Sequence, residues 1–220
     1  MKKILNKRLQ MISAFIDNNT CVCDIGCDHG LLGIYLVLNK QNIKMISSDI
    51  NEKPLLKAKE NMEKYGVLDK VTLKLGNGLD VLETDVDTIV ISGMGGITIT
   101  KILEKINDYP NVRKMILSPN NDFLLVRKMV TKHGFKIVNE KIVWEKDKYY
   151  LVCVLEKGQD KCNYFFGKLD LSDNVVKDYY ENIYKTNQKI IKKLSIINRL
   201  KKLNLWYENY LIRKKYKKLK

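Results

Sequence analysis

The feature that most limits what this chain can fold into is a series of short apolar runs. Each ends in a turn rich in glycine or acid, and helix-forming sequence lies between them. Thr20-Cys21-Val22 leads into Cys23-Asp24-Ile25-Gly26-Cys27-Asp28-His29-Gly30, and Leu31-Leu32-Gly33-Ile34-Tyr35-Leu36 follows with room for a helix. Residues 44–49 form a second strand that ends in the acid Asp49. Residues 71–75 run into Gly76-Asn77-Gly78, residues 88–91 into Ser92-Gly93-Met94-Gly95-Gly96, and residues 115–117 into Ser118-Pro119-Asn120-Asn121. Helices are expected over about 4–16, 53–65, 97–106 and 122–132. Pro54 is tolerated in the first turn of its helix and Gly66 stops it. Strands alternating with helices imply a mostly parallel sheet covered on both faces. Two closing strands, 135–144 and 149–156, are joined by a short polar turn and must be antiparallel, making seven strands in all. Ligands of such sheets bind at the carboxyl ends of the strands, where the turns at Gly26, Gly76, Gly93 and Asn120 converge.

After about residue 157 the composition changes. From Asp173 onward there is no Gly or Pro, and Val176, Tyr180, Ile183, Ile190, Leu194 and Ile197 recur at spacings of three and four, with polar Asn187 interrupting them. Leu205, Ile212 and Leu219 continue at intervals of seven, with Glu208 and Lys215 breaking their seam. Arg199–Asn204 is either a turn between two antiparallel helices or part of one helix that runs on. The expected organisation is an α/β domain over residues 1–156 and a basic, coiled-coil-like helical domain over 157–220.

The net charge is +15, of which +10 lies in residues 159–220. Such an excess suits a polyanion, either nucleic acid or an acidic membrane surface, unless Lys merely fills exposed sites. Lys2, Lys3, Lys7 and Arg8 make the N-terminal segment basic as well. No stretch is long and apolar enough to span a membrane, and no signal-type core follows Met1, so cytoplasm is expected. Five Cys without a small-scaffold pattern suit reduced thiols. Cys21, Cys23 and Cys27 lie close together, but no second Cys or His pair completes a ligand set, so no metal is expected.

The turn at Gly26 carries the chemistry. Its glycine spacing (Gly26, Gly30, Gly33) is not that of a nicotinamide fingerprint, and no phosphate-binding G-x-x-x-x-G-K is present. An acid two residues before the first glycine suits a ligand with a cationic amino group and a sulfonium, and S-adenosyl-L-methionine has both. Asp49 stands where an acid accepts hydrogen bonds from ribose hydroxyls, or caps the next helix. Gly76-Asn77-Gly78 would lie beside the adenine.

Asp24-Ile25-Gly26-Cys27-Asp28-His29, Ser92-Gly93-Met94-Gly95-Gly96 and Pro119-Asn120 resemble the matching motifs of the bacterial TrmK family, and Asn6-Lys7-Arg8-Leu9 resembles its N-terminal segment. The resemblance covers about residues 4–156. It departs from the family at Ser118, where Gln is common, and at Gly30, where Ala is usual. It implies a class I, Rossmann-like methyltransferase that transfers a methyl group from S-adenosyl-L-methionine to N1 of adenine 22 in tRNA. The expected cofactor contacts are Asp24, Gly26, Asp28, Asp49, Ile50, Asn77, Gly78, Gly93, Met94 and Gly95. Asp28, His29, Ser118 and Asn120 are the candidate catalytic residues: Asp28 as the acid facing the base, His29 beside it, and Ser118 or Asn120 orienting the base. Lys7, Arg8, Lys192, Lys193, Lys201, Lys202 and Arg213 are the candidate RNA contacts. The tail either grips tRNA or dimerises, which leaves a monomer or a weak homodimer.

Overall fold

The structure, a computed structural model, describes residues 4–159, 163–195 and 198–216. Lys2, Lys3, Ile197 and Leu219 therefore lie outside the described residues. The chain divides into two compact units, Met1–Leu169 and Asp170–Lys220.

The first unit is built on a seven-stranded sheet of order β3-β2-β1-β4-β5-β7-β6. Its strands are β1 (Cys21–Ile25), β2 (Lys44–Asp49), β3 (Val71–Leu75), β4 (Thr88–Ser92), β5 (Lys114–Ser118), β6 (Phe135–Glu145) and β7 (Lys148–Lys157). Its helices are α1 (Lys7–Ala14), α2 (Leu31–Asn39), α3 (Glu52–Lys64), α4 (Gly96–Ile102) and α5 (Phe123–Lys132). β1 pairs in parallel with both β2 and β4, and only β7 runs against its neighbours. All five residues of β1 are buried, because helices cover both faces of a parallel sheet. Alternation along the strand sends Cys21, Cys23 and Ile25 into one core cluster and Val22 into the other.

The turn at Gly26, with its positive φ, separates the thiols. Cys21 and Cys23 pack in one cluster and Cys27 in the other. Burial pushes the Cys21 and Cys23 thiols up to about 11 and about 12. Among the described residues, no group of three or more His, Cys, Asp or Glu is placed to hold a metal ion, and no helix is long and apolar enough to cross a membrane.

The elements match the expected ones closely. α1 is shorter than its apolar pattern: the Asn6 side chain caps it by accepting from the Leu9 N–H at 2.8 Å. The expected 97–106 helix is α4 followed by a 3₁₀ stretch, Leu103–Asp108. The β6–β7 turn places Lys146 and Asp147 at positive φ (48° and 59°), the hand that matches strand twist in a two-residue hairpin loop.

Residues 163–169 belong to the first unit. Arg127 of α5 and Glu140 of β6 form an ion pair at 2.8 Å, with side chains 4% and 0% exposed. Arg127 Nη1 also donates to the carbonyls of Tyr164 and Phe165, and Glu140 Oε2 accepts from the Lys168 N–H. A buried pair that is fully hydrogen-bonded in this way fastens the segment that follows β7.

The second unit is a pair of helices, α6 (Asn174–Lys193) and α7 (Arg199–Lys215). Asp173 caps α6 by accepting from the Val175 N–H at 2.7 Å. α6 ends at Lys193 and α7 begins at Arg199, so Arg199–Asn204 is not a turn but the first part of α7. Val176, Tyr180, Tyr184 and Asn187 are the buried side of α6. Asn187 therefore does not interrupt the seam. Its amide donates to Glu208 Oε2 at 2.9 Å and to Asn209 Oδ1 at 3.2 Å on α7. Two of the three residues that looked like breaks in the apolar pattern, Asn187 and Glu208, are partners across the hairpin.

Glu140→Ala would leave the Arg127 guanidinium buried without its carboxylate, which typically costs about 3–5 kcal/mol. A thermal or denaturant melt of the variant should show a loss on that scale, and a wild-type melt would rule out the fastening role.

Candidate active site

The turn after β1 is held from below by the neighbouring strand. The Gly26 and Cys27 N–H groups both donate to the Ser48 carbonyl at 2.8 Å, and Gly30 N–H closes back on the Cys27 carbonyl at 2.9 Å. Gly26 has φ +78°, and a Cβ there would lie 2.1 Å from the Cε methyl of Met94. The first and fourth turns thus touch at a position whose positive φ favours glycine. Gly30 has the same constraint against α3: a Cβ would meet Met62 Cε at 2.8 Å and Ala58 Cβ at 2.9 Å. That tight packing accounts for Gly at this position.

A cavity of about 660 Å³ opens above these turns. Asp24, Gly26, Asp28 and His29 line it from the first turn, Asp49 and Ile50 from the second, Asn77 and Gly78 from the third, and Gly93 and Met94 from the fourth. Nine of the ten expected cofactor contacts therefore meet in one place. Gly95 does not line the cavity; it caps α4, packed against Asn121, whose Oδ1 accepts from the Gly96 N–H at 2.9 Å.

Of the candidate catalytic residues, Asp28 and His29 stand exposed in the lining, with Asp28 Oδ2 3.6 Å from His29 Nε2. The His29 carbonyl accepts from the Asn61 amide at 2.9 Å, which anchors this turn to α3. Ser118 and Asn120 are not in the lining. Ser118 is fully buried, and its hydroxyl has no hydrogen-bond partner. Asn120 braces the fourth turn, donating through its side chain to the Gly93 carbonyl at 2.7 Å and through its backbone to the Met94 carbonyl at 2.8 Å.

The charges of the site oppose one another. Asp24 is buried, and desolvation pushes its carboxyl up to about 7; Arg8 pulls it down and Asp49 pushes it up. Asp49 lines the cavity and accepts from the Asn51 N–H at 3.0 Å through Oδ1. Arg8 is expected from the sequence among the RNA contacts. It lines the cavity, with its guanidinium carbon 4.9 Å from the centre of the Tyr150 ring. Lys7, its neighbour, points away: its N–H donates to Glu145 and its ammonium to the Trp144 carbonyl at 3.4 Å.

The remaining candidate RNA contacts lie in the hairpin. Lys192 and Arg213 line a groove of about 690 Å³ that also exposes Trp206 (54%) and Tyr210 (57%). Lys193, Lys201 and Lys202 do not line it. The two aromatic residues went unread in the sequence because they lie off the apolar seam.

The lining fits S-adenosyl-L-methionine on chemical grounds. It offers a buried acid for an ammonium, a second acid for ribose hydroxyls, and a backbone cradle that no Cβ obstructs. The comparisons agree. A model of the methyltransferase domain matches residues 5–153. A Bacillus subtilis protein named tRNA (adenine(22)-N(1))-methyltransferase is 36% identical over 162 residues, 73% of this chain and 68% of that one. The structure of M. capricolum TrmK with S-adenosyl-homocysteine superposes with a TM-score of 0.84 at 30% identity, covering 96% of this chain and 97% of the other. Sp1610 of Streptococcus pneumoniae, in complex with S-adenosyl-L-methionine, gives 0.86 at 30% identity, covering 96% and 99%.

A cationic amino group binds the ionised form of Asp24 only, and binding lowers the pKa of that carboxyl. Affinity for S-adenosylhomocysteine should therefore be constant around pH 8 and fall as pH drops through about 7, by up to roughly tenfold per unit. Calorimetric titrations between pH 8 and 6 check this. An affinity that stays flat would exclude Asp24 as the ammonium partner.

Proposed function

The chain belongs to the methyltransferase-domain family and, within it, to the tRNA (adenine(22)-N1)-methyltransferases; from that premise we propose that it methylates N1 of adenine 22 in tRNA, with S-adenosyl-L-methionine as donor. The observation that carries the reading is the buried carboxyl of Asp24 at the floor of a cavity walled by the Gly26 and Gly93 turns. When bound, S-adenosyl-L-methionine supplies an electrophilic methyl group on a sulfonium.

The residues divide the work. Asp24 holds the ammonium of the donor, and Asp49 accepts from the ribose hydroxyls. Asn77 and Gly78 flank the adenine of the donor, and Ile50, 61% exposed, covers its face. The N1 nitrogen of the target adenine has its own lone pair, so no base is needed to form the nucleophile. What the reaction needs is in-line positioning and a negative group near the ring that gains positive charge. Asp28 supplies that charge from the mouth of the cavity, with His29 at its side. Asn120 acts through the turn it braces, keeping the Gly93 and Met94 carbonyls fixed, and Ser118 supports the same turn from beneath.

The basic hairpin contacts the tRNA. Lys192 and Arg213 meet phosphates, and Trp206 and Tyr210 offer faces on which an unpaired base stacks. Lys193, Lys201 and Lys202 add to the field that attracts the polyanion. The other occupant the sequence left open, a second copy of the hairpin, is an outcome of the test below.

Incubation with unmodified tRNA, digestion and nucleoside analysis should yield 1-methyladenosine. Another methylated nucleoside would move the specificity, and cofactor binding with no transfer to RNA would make the protein a binding module. In the same assay Asp28→Asn should lower turnover roughly 100-fold or more without changing the melting temperature, since its side chain is exposed. Near-wild-type turnover would remove Asp28 from the mechanism.

Trp206→Ala should weaken tRNA binding by about 1–3 kcal/mol with an unchanged salt slope, while Arg213→Gln should reduce that slope by about one. If both variants bind tRNA as wild type but shift the sedimentation of the protein, the hairpin is a self-association surface instead.

A further inference from the structure

The clasp between Arg127 and Glu140 holds the chain at a particular end of the sheet. β7 finishes at Lys157, opposite Phe135, and the Lys157 N–H donates to the Arg113 carbonyl at 3.0 Å, just before β5 begins. That is the amino end of the parallel strands, away from the turns that line the cavity. Glu140 stands at the other level. It pairs with Cys153, and Cys153 pairs with Leu117, one residue short of the end of β5. From Lys157 to Cys153 is about 13 Å along the strand, at ~3.3 Å per residue. The clasp therefore returns the chain toward the cavity end. Arg127 Nη1 donates to the Tyr164 and Phe165 carbonyls at 2.9 Å each, and Glu140 Oε2 accepts from the Lys168 N–H at 2.6 Å. The Thr131 hydroxyl of α5 donates to that of Tyr164 at 3.1 Å, and Leu169 ends the segment buried. A Cβ at Gly167 (φ +62°) would run into Glu140 Oε2 and the Arg127 guanidinium.

A bulge aims Glu140 at this task. The β6–β7 register shifts between Ile137 and Asn139, which leaves Val138 as the extra residue. Unshifted pairing would set Glu140 opposite Val152, in the second core cluster. The bulge sets it opposite Cys153, on the face that holds Val126 and Val130 of α5. A local departure from regular structure thus brings one carboxylate to one guanidinium. Buried ion pairs are commonly no more stabilising than apolar residues of similar volume. What this pair adds is the choice of where the segment is held.

We propose that Arg127 and Glu140 are positioning residues for tRNA: they fix the tether of the basic hairpin at the cavity end of the sheet, so that one tRNA engages both units at once. The proposal rests on the reading that the hairpin contacts tRNA, and it goes further. α6 is capped at Asp173, so residues 170–173 alone link the clasped segment to it. Without the clasp the link would run from residue 158, just after β7, to residue 173. The effective concentration of a tethered module falls roughly as the −3/2 power of tether length, so a fourfold longer tether lowers it about eightfold.

The test uses two variants of the full chain. Arg127→Leu combined with Glu140→Leu removes the clasp and leaves no orphan charge. The second variant keeps the clasp and inserts about twelve Gly and Ser residues between Leu169 and Asp170, the difference between the two tether lengths. In each, the Kd for unmodified tRNA should rise about eightfold, with kcat at saturating tRNA and S-adenosylhomocysteine affinity within about twofold of wild type. Combining the two should weaken tRNA binding only about twofold more, because the tether is already long. A clasp with a structural role alone would lower the melting temperature and leave the tRNA Kd unchanged. S-adenosylhomocysteine binding serves as the folding control. If the double-leucine variant fails it, Gly167→Ala decides: its Cβ pushes the segment off the clasp while the ion pair remains, and the same rise in Kd is expected. A folded clasp variant with the wild-type Kd overturns the proposal, as does an insertion without effect or a second full eightfold loss on combination. If Trp206→Ala and Arg213→Gln weaken tRNA binding while the clasp variants do not, this proposal alone fails. If none of the four does, the hairpin reading fails with it.

Discussion

The site depends on one topological fact: β1 is hydrogen-bonded on both sides, and the order of the sheet reverses there. The chain builds outward from β1 to β2 to β3, then restarts beside β1 with β4. The connections after β1 and β4 leave toward opposite faces, so a crevice must open between them at their carboxyl ends. The register then decides what stands at its edge. Ile25 pairs with Ser48 on one side and Ile91 on the other, so Gly26 and Gly93 emerge as the chains part. Met94 fits against Gly26 because no Cβ is in the way. The cradle is thus a consequence of strand order, with glycines where the first turn meets Met94 and where it packs on α3.

The same topology forces a charge into the interior. Asp24 is the fourth of five buried residues on the central strand, and it is 4% exposed although it lines the cavity. The protein treats its buried carboxylates in two ways. Glu140 is closed: it is paired with Arg127 and accepts from a backbone N–H, and it holds structure together. Asp24 is open: its opposite charge, Arg8, faces it across a cavity. A closed pair has nothing to gain from a ligand. An open one leaves room for a cationic group of a ligand, whose binding would offset the cost of keeping Asp24 buried.

Much of this was readable in the sequence, for physical reasons. Strands buried on both faces appear as unbroken apolar runs, and the turns that follow them need Gly, Asp or Asn. That placed Asp24, Asp49, Asn77 and Gly93 at the correct edge of the sheet. Three things were not readable. Arg8 sits on a short helix whose pattern tells which side is apolar but not which strand ends the helix crosses. Ser118 is the last residue of β5 and is buried, while Asn120, two positions on, lies in the turn; a one-residue uncertainty in where a strand ends separates a core hydroxyl from a surface one. Asn187 and Glu208 looked like faults in a seam because apolar periodicity does not register two polar side chains that satisfy each other.

The division of charge between the two units bears on how a base reaches the donor. The hairpin region holds most of the positive excess, whereas the cavity is lined by Asp24, Asp28 and Asp49 against Arg8 alone among Lys and Arg. An acid-lined mouth repels phosphate and so admits a nucleotide only with its base leading and its backbone held away. That is the geometry of a base taken out of its stack. The neutral base suffers no such repulsion, and it becomes cationic as the methyl group is transferred. With the role proposed for Asp28, the acid at the mouth that repels the backbone would also favour the transition state, so that one charge would serve both selection and catalysis. A neutral mouth would admit the backbone more readily and stabilise the product cation less, so the acidity of this pocket in an otherwise basic protein follows from the reaction it performs.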